Sequence, residues 1–379
     1  MKIIHTSDLH IGKRVNEYSM IEDQRYILEQ IIALTRGHTP DAFLISGDIY
    51  DRQNPSAEAV SLFGDFLTAL SSACPNILII SGNHDSEERL AFAGELFHKS
   101  GIYISPVFDG KLNTVTLYDE YGKINFVLAP FIKPAVVRHF FPNEEFTEYN
   151  DALKFLLDPV NYNDRTVLLA HQFVTGAARS DSEEAASVGG AEEVSRELFS
   201  RFDYTALGHI HRPQSLGRNI RYSGSPLKYS ASEVNFQKSL TLVTLKQKGE
   251  LEINELPLIP MRDMRTIKGT YADIMDGAHK DEHKNDYVHA VLTDTDEIPN
   301  AAARLRNAYP NLMTLHYDNI KNASDAEVFA KSVKPSMTPL EYLCELYEKQ
   351  NNSELKGEKL KLAENMIDEI FYNGEEARK

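Results

Sequence analysis

The stretch that decides the fold is Ile77-Leu78-Ile79-Ile80-Ser81-Gly82-Asn83-His84-Asp85, in which an apolar run ends abruptly in an amide, an imidazole and a carboxylate. The apolar run is typical of a buried strand, and the following Ser86-Glu87-Glu88 predicts the start of a helix. The tetrapeptide alone is compatible with a strand-to-helix turn, in which Gly supplies the bend and Asn or Asp caps the helix. A functional interpretation therefore depends on whether other strands end in the same way.

Four other apolar runs also end in polar side chains. Ile3–Thr6 is followed by Asp8 and His10, Ala42–Ser46 by Asp48 and Asp51, Thr166–Ala170 by His171, and Tyr204–Leu207 by His209 and His211. Asp8 and His10 alternate like strand residues, as do His209 and His211, which predicts that each pair points to one side. Apolar residues at helical spacing over 19–36 and 56–73 separate the first three strands and predict a parallel sheet with helices on its faces. Ligands bind beyond the carboxyl ends of strands in such sheets.

The rest of the chain adds a second part and a terminal segment. Residues 86–99 predict one helix, 131–164 two short surface helices, and 112–118, 124–129, 220–223, 239–245 and 251–256 further strands. Beyond Pro257 and Pro260, strands over 262–268, 287–292 and 312–316 and a helix over 300–308 indicate a small α+β domain. From Thr338 two helices share an apolar stripe, which either packs against residues 262–333 or is offered to a partner. The stripe consists of Leu340, Leu343, Cys344, Tyr347, Leu360, Met366 and Ile370.

Composition and charge restrict the function and the compartment. The 379 residues exceed the size at which one core normally stops growing. The formal charge of −16 argues against unaided, high-affinity binding to a polyanion, so a nucleic-acid function would need metals, local bases or a basic partner. Two isolated cysteines and the lack of an apolar leader or membrane span favour a cytoplasmic protein. Gly12-Lys13 and Gly122-Lys123 lack the downstream Ser or Thr of a Walker-type phosphate loop.

The polar strand ends together form a set of candidate metal ligands. Oxygen and imidazole donors without thiolates favour manganese, iron or zinc, and the set is too large for one ion but suits two, with Asp48 as the natural bridge. Two such ions bind a phosphate and activate water, which predicts phosphoester hydrolysis. The competing interpretation is a structural zinc site with unrelated surface histidines. The candidate ligands are Asp8, His10, Asp48, Asn83, His171, His209 and His211.

Two residues beside the candidate ligands have the chemistry for catalysis. His84, if protonated, could donate to the leaving oxygen or bind the charge that develops on the phosphate. Asp85 could hold that imidazole in orientation. We therefore predict that His84 is catalytic and that Asp85 orients it.

The five blocks resemble those of the calcineurin-like metallophosphoesterases: Asp-x-His, Gly-Asp, Gly-Asn-His-Asp, His and Gly-His-x-His, in order over about residues 5–211. Ser46–Asp51, Leu207–Gln214 and Tyr222–Ser230 are similar, more narrowly, to the SbcD family of bacterial DNA repair nuclease subunits. The resemblance implies an α/β fold, a four-layered sandwich of two mixed β-sheets flanked by helices. A small α+β capping domain and C-terminal helices would follow, giving domains over 1–258, 259–335 and 336–379.

The resemblance also implies roles for residues and partners. Asp8, His10, Asp48 and His211 would hold one divalent ion, and Asp48, Asn83, His171 and His209 the second, most often manganese with magnesium as an alternative. Asp51 stands where archaeal and eukaryotic relatives often have a catalytic histidine, so it is a candidate catalytic residue. The capping domain would contact DNA, the C-terminal helices an SbcC-type coiled-coil ATPase, and the phosphoesterase domain a second copy in a homodimer. Bases near the motifs are Lys13, Arg14, Arg52, Arg212 and Arg218.

Three functions follow as alternatives. The first is a manganese-dependent exonuclease and endonuclease that hydrolyses double-stranded DNA ends and hairpins with its ATPase in DNA repair and recombination. The second is a small-molecule phosphatase or cyclic-nucleotide phosphodiesterase on the same scaffold, and the third is a non-catalytic scaffold.

Overall fold

The computed structural model describes residues 1–92, 94–183, 192–318 and 355–371, together with 340, 343, 344 and 347. The chain divides into two compact units, residues 1–317 and 318–379. The first unit contains two mixed six-stranded sheets that pack face to face and are flanked by helices. This arrangement confirms the predicted four-layered α/β sandwich.

The first sheet carries three of the five predicted strand ends. Its order is Leu251–Pro257, Ser239–Leu245, Lys2–Thr6, Ala42–Ser46, Ile77–Ile80 and Ile102–Ile104. The four strands from Lys2–Thr6 onward are parallel, and the other two are antiparallel to their neighbours. Parallel strands that are buried on both faces read as continuous apolar runs, which is why the sequence reveals them.

The second sheet carries the other two strand ends. Its order is Gln214–Ser215, Ile220–Tyr222, Tyr204–Gly208, Arg165–His171, Gly122–Ala129 and Asn113–Asp119. The four central strands are parallel and the two edge strands antiparallel. Pairs of two-residue strands lie outside the sheets, at Arg14–Val15 with Tyr18–Ser19 and at Phe173–Val174 with Glu193–Val194.

Apolar side chains alternate between the layers. Between the sheets lie residues such as Leu44, Phe126 and Val167. On the outer face of the first sheet the helices Ile21–His38 and Ala57–Ser71 bury their apolar sides, and Ser56 caps the second helix by accepting from the Ala59 N–H. Helices Pro134–Phe140 and Tyr149–Leu157 and the 3₁₀ turn Arg196–Phe199 lie beside the second sheet; another 3₁₀ turn spans Ala231–Glu233.

Residues 86–99 differ from the prediction of a single helix. The structure has two short helices, Glu87–Leu90 and Gly94–His98. Phe92 is 78 % exposed and Leu96 69 % exposed, so the apolar residues do not form one buried face that could hold a longer helix. Gly94 lowers the helix propensity further.

The small sheet after Pro260 is parallel, with strands Met264–Gly269, Tyr287–Leu292 and Leu312–Tyr317 and helices Tyr271–Gly277 and Ala301–Ala308. The helices cover one face around their own apolar core. Tyr287 and Arg262 attach this part to the helix Ile21–His38, because the Tyr287 hydroxyl and the Arg262 guanidinium both donate to the Asp23 carboxylate. The boundaries at 258 and 335 stay predictions.

The second unit contains the helix Glu358–Phe371, on which Leu362 and Met366 are exposed and Ala363 is buried. Lys359 donates to the Tyr347 hydroxyl at 2.9 Å. Thr338, where the predicted helices begin, lies outside the described residues. Among the residues that are described, every helix is too short or too polar to cross a membrane.

Candidate metal centre

The five strand ends meet at one edge of the sandwich, on loops with an unusual backbone. In the described part of the chain eight non-glycine residues have positive φ, and four of these are predicted ligands: Asp8, His10, Asp48 and His209. Such conformations cost about 1–3 kcal/mol each and persist where the surroundings impose them, often at functional sites. The strands that precede Asp8 and His209 end at Thr6 and Gly208, so strand alternation does not explain how the side chains after them converge. The left-handed turns after the strands do.

The first group of donors is Asp8, His10, Asp48 and His211, all buried. The Nε2 atoms of His10 and His211 are 3.0 Å apart, and His10 Nε2 is 3.5 Å from Asp48 Oδ2. Ligand atoms of Asp8, His10 and His211 lie within 4.8 Å of one another. Asp8 also accepts from the His209 backbone N–H at 2.9 Å, which joins the ends of the two sheets.

The second group is Asp48, Asn83, His171 and His209. Asn83 Oδ1 is 3.0 Å from both His171 Nε2 and His209 Nδ1, and His171 Nε2 is 3.4 Å from Asp48 Oδ2. His171 Nδ1 donates to the Ser46 carbonyl oxygen at 2.9 Å, which directs Nε2 toward the group. The structure thus brings all seven predicted ligands together, with Asp48 between the two groups.

Burial and the attraction between opposite charges decide which of the candidate ligands are charged. Burial lowers the pKa of His10 and of His209 to about 3, so both are neutral, the form that binds metals. Burial raises the pKa of Asp8 to about 6. Burial also disfavours the charged forms of Asp48 and His171, but their attraction prevails: the pKa of Asp48 falls well below its usual range and that of His171 rises to about 9. Without metal, these two residues form a buried ion pair.

Glycines in the motifs allow the loops to approach this closely. A Cβ on Gly82 would overlap the Asp48 carboxylate and lie 2.5 Å from the Asp48 backbone nitrogen. A Cβ on Gly47 would overlap the His171 ring, and one on Gly208 the Ser46 carbonyl oxygen. Each glycine therefore stands where another strand end passes.

His84 and Asp85 have separate partners. The backbone N–H of His84 donates to Asp48 Oδ1 at 3.0 Å. The ring Nδ1–H of His84 donates to the Asp51 carbonyl oxygen at 3.0 Å. The Asp85 carboxylate accepts backbone N–H groups of Gly82, Ile49 and Tyr50 at 2.9–3.1 Å. The Asp85 oxygens thus bind the two strand-end loops to each other, and the Asp51 carbonyl oxygen holds the His84 ring. That Asp85 orients the imidazole stays a prediction.

The Asp51 side chain lies at the rim of the first group. Its Oδ1 accepts from Lys13 Nζ at 2.8 Å and is 3.6 Å from His10 Nδ1, and Arg52 Nε is 3.7 Å from Oδ2. Burial opposes ionisation, but His10 and Lys13 lower the pKa of Asp51 to about 2. Asp51 is therefore an ionised carboxylate that holds Lys13 beside the site.

The other predicted bases have partners away from these ligands. Arg14 donates to the Glu17 carbonyl oxygen, Arg212 covers the Phe236 ring and Arg218 donates to the Gly249 carbonyl oxygen.

A hydrogen-bond network behind His211 was not predicted. The Ser182 hydroxyl lies 2.7 Å from His211 Nδ1 and also bonds the Glu233 carboxylate, which in turn pairs with Lys238. Because Glu233 is ionised and only accepts, the hydroxyl donates to Glu233 and accepts from His211 Nδ1–H, so that Nε2 is the ring nitrogen that faces the other donors. Burial opposes this charge, but Lys238 and His211 hold the pKa of Glu233 below its usual range. Sequence gives no signal for such a network, because Ser182, His211 and the Glu233–Lys238 pair come from three separate parts of the chain.

The donor set fits divalent metal ions. Carboxylate and imidazole donors lie in three overlapping groups, Asp8–His10–His211, His10–Asp48–His84 and Asp8–Asp48–His171, each within 4.8 Å. Seven donors with a central carboxylate suit two such ions.

Several known proteins are similar to this chain. The family model of calcineurin-like phosphoesterases matches residues 1–213, and that described as type 5 capsule protein repressor C-terminal domain matches 260–351. Two curated relatives, from Staphylococcus epidermidis and Staphylococcus saprophyticus, are named as the D component of the nuclease SbcCD. Both are 33 % identical to this chain. The alignment with the first relative covers 95 % of this chain and 97 % of that relative. The alignment with the second covers 85 % of this chain and 89 % of that relative.

Solved structures that match this chain include TT1561 of Thermus thermophilus, with a TM-score of 0.37, 15 % identity and coverage of 67 % of this chain and 98 % of that one. A dimetal phosphatase from Danio rerio has a TM-score of 0.44, 12 % identity and coverage of 68 % and 96 %. The phosphoesterase model spans more than half of the chain, and the curated relatives align over most of it. The chain therefore belongs to the calcineurin-like phosphoesterases, within them to the SbcD nuclease family, and is a metal-dependent phosphodiesterase.

Proposed function

We propose that this protein is a manganese-dependent DNA exonuclease and endonuclease that acts on double-stranded ends and hairpins together with an SbcC-type ATPase. The observation that carries the proposal is the convergence of seven donors from five strand ends beside His84. The relatives named as a component of the nuclease SbcCD support DNA as the substrate. The acidic total charge agrees with a partner that supplies much of the DNA affinity.

In this proposal Asp8, His10, Asp48 and His211 hold one divalent ion, and Asp48, Asn83, His171 and His209 hold the other. The bound ions would supply charge that neutralises the phosphate and lowers the pKa of a water molecule. The Ser46 carbonyl oxygen fixes the His171 ring through its Nδ1 atom, and the Ser182 hydroxyl fixes the His211 ring in the same way. Oxygen and imidazole donors suit manganese.

His84 acts on the phosphate in this proposal. Its ring is T-shaped against His10, with centroids 4.8 Å apart, and its Nδ1 is bonded to the Asp51 carbonyl oxygen. A protonated imidazole held in this way donates to the leaving oxygen or to the phosphate. We assign Asp51 the task of placing His84 and Lys13 rather than that of a proton donor.

The test compares the wild-type protein and His84→Ala, each with its ATPase and manganese, on linear duplex DNA. We expect the wild type to degrade the DNA and His84→Ala to lose at least about 100-fold in rate while keeping its metal content and thermal midpoint. Full activity of His84→Ala would refute the assignment. Turnover of small phosphoesters far above that of DNA would instead identify a phosphatase or cyclic-nucleotide phosphodiesterase.

Assembly is a separate part of the proposal. We assign the helices after Thr338 to the ATPase, a homodimer to the phosphoesterase domain and DNA contacts to residues 259–335. Exposed Leu362 and Met366 support the first assignment, and exposed Phe92 and Leu96 support the second. Deletion from Thr338 should abolish ATPase capture but not manganese-dependent cleavage of a simple phosphodiester; loss of both would refute it. We also propose a cytoplasmic location, with which the free thiols of Cys74 and Cys344 are consistent.

A further inference from the structure

An aromatic pocket opens beside the second group of donors. Its volume is about 250 Å³, and Asn83 and His209 form one wall. The rings of Phe131, Tyr149 and Phe173 line the rest. Phe131 lies nearly parallel to the His209 ring, at 15° and with centroids 6.5 Å apart, and its centroid is 5.6 Å from that of Tyr149. Three aromatic rings therefore adjoin the position at which the proposed function places a phosphate.

Charged groups surround these rings. Lys133 and Glu192 complete the lining. The Arg179 guanidinium lies on the Phe173 ring, 3.5 Å from its centroid, and its buried Nε has no hydrogen-bond partner in the described part of the chain. Two cations near an aromatic wall are the combination that single-stranded nucleic acid requires, since the cations contact phosphates and the rings stack on bases. Glu192 can accept from a base amino group.

We propose that this pocket binds the nucleobase of a nucleotide next to the scissile phosphate, with Phe131 and Tyr149 as the stacking surface and Lys133 and Arg179 on the adjacent phosphate. The proposal rests on the proposed function. A phosphate at Asn83 and His209 has its neighbouring sugar and base within reach of the pocket, and every base offers a π-face, so the contact is indifferent to sequence.

The position of the pocket also indicates which DNA suits it best. A base reaches the rings only after it leaves the duplex stack, and unstacking costs least for a base that is already unpaired. Frayed ends and hairpin loops should therefore enter the pocket more readily than internal base pairs.

The experiment is a double-mutant cycle, in which the nucleobase and an aromatic ring of the pocket are removed separately and together. A duplex is prepared as a series with one abasic residue at each position around the cleavage site, and kcat/KM is measured with the ATPase and manganese. At one position the wild type should lose about 5- to 100-fold. Tyr149→Leu and Phe131→Leu should lose a similar factor on the intact duplex and nothing further on the abasic one. Tyr118→Leu, which changes an exposed ring elsewhere, should behave as wild type.

A binding measurement separates stacking from effects on the metal. The Phe131 ring is stacked on the His209 ring, whereas the Tyr149 ring is paired with Phe131. The variant Tyr149→Leu therefore decides the case if Phe131→Leu loses metal. In the His84→Ala protein, the fluorescence of 2-aminopurine at the sensitive position should change on binding as the base leaves the duplex stack for the pocket, and the added Tyr149→Leu should abolish this change. Equal abasic penalties in wild type and Tyr149→Leu, or no sensitive position, would overturn the pocket assignment. Failure of the wild type to cleave any DNA while it hydrolyses small phosphoesters would overturn the proposed function instead.

Discussion

Replacing Gly82 with alanine should disable the metal centre through one methyl group. The Cβ would lie 2.5 Å from the Asp48 backbone nitrogen, whereas real Cβ contacts are essentially never below 3.0 Å. The Gly82 and Asp48 loops must therefore separate by at least about 0.5 Å. Overpacking of this kind costs about 1–3 kcal/mol of stability. Because Asp48 stands between the two groups of donors, a shift of this size should reduce hydrolysis about 10- to 100-fold.

A matched control uses a glycine without such neighbours. Gly64 lies exposed inside the helix Ala57–Ser71, and a Cβ there would have nothing within 4 Å. Gly64→Ala should therefore raise the free energy of unfolding by about 0.5–1 kcal/mol and leave activity unchanged. Denaturant unfolding, manganese titration calorimetry and phosphodiester hydrolysis of both variants make the comparison. A Gly82→Ala protein that bound manganese and turned over like wild type would refute the close-approach argument.

Three further predictions concern individual polar side chains. Ser182→Ala should weaken manganese binding about 10- to 100-fold, and Ser182→Thr should restore it, because the hydroxyl fixes the His211 tautomer; equal affinities by calorimetry would exclude this. Manganese binding should release a proton from His171, whose pKa is about 9 without metal, so affinity should rise with pH up to that value, and calorimetry in buffers of different ionisation enthalpy counts the proton. Burial lowers the pKa of His5 to about 3, so its protonation is disfavoured in the folded state. Stability from His5 is present above pH 6.5 and is lost toward pH 3, by about 2 kcal/mol at pH 5, and unfolding of His5→Gln should show a correspondingly smaller change between pH 7.5 and pH 5.

The sequence predicts most of the sandwich because its central strands are buried on both faces. Continuous apolar runs such as Ala42–Ser46 keep their predicted bounds, and the helices between them follow from apolar spacing. The prediction failed for residues 86–99, where Phe92 and Leu96 suggest an apolar helix face but remain exposed. Periodicity shows which residues are apolar and does not show what covers them.

The seven candidate ligands were also accessible from the sequence, but for a partly wrong reason. Alternation along a strand would direct Asp8 and His10 to one side, yet the strand ends at Thr6 and both residues have left-handed backbones. Position after a buried parallel strand was the informative signal, because it fixes the edge of the sheet whatever the local dihedral angles are. The network of Ser182, Glu233 and Lys238 has no such positional rule and becomes visible only in three dimensions.

The residues from Gly82 to Asp85 do more than cap a helix. As a helix cap, Gly82 to Asp85 would need only a bend and one side-chain acceptor. In the structure Gly82 gives room to Asp48, Asn83 joins the second group of donors, and the His84 N–H binds the Asp48 carboxylate. Asp85 ties this loop to the backbone after the neighbouring strand. Three of the four residues therefore act on the strand end that carries Asp48, so substitutions at Gly82 and Asp85 should couple non-additively with Asp48→Asn, whereas Gly64→Ala should add independently.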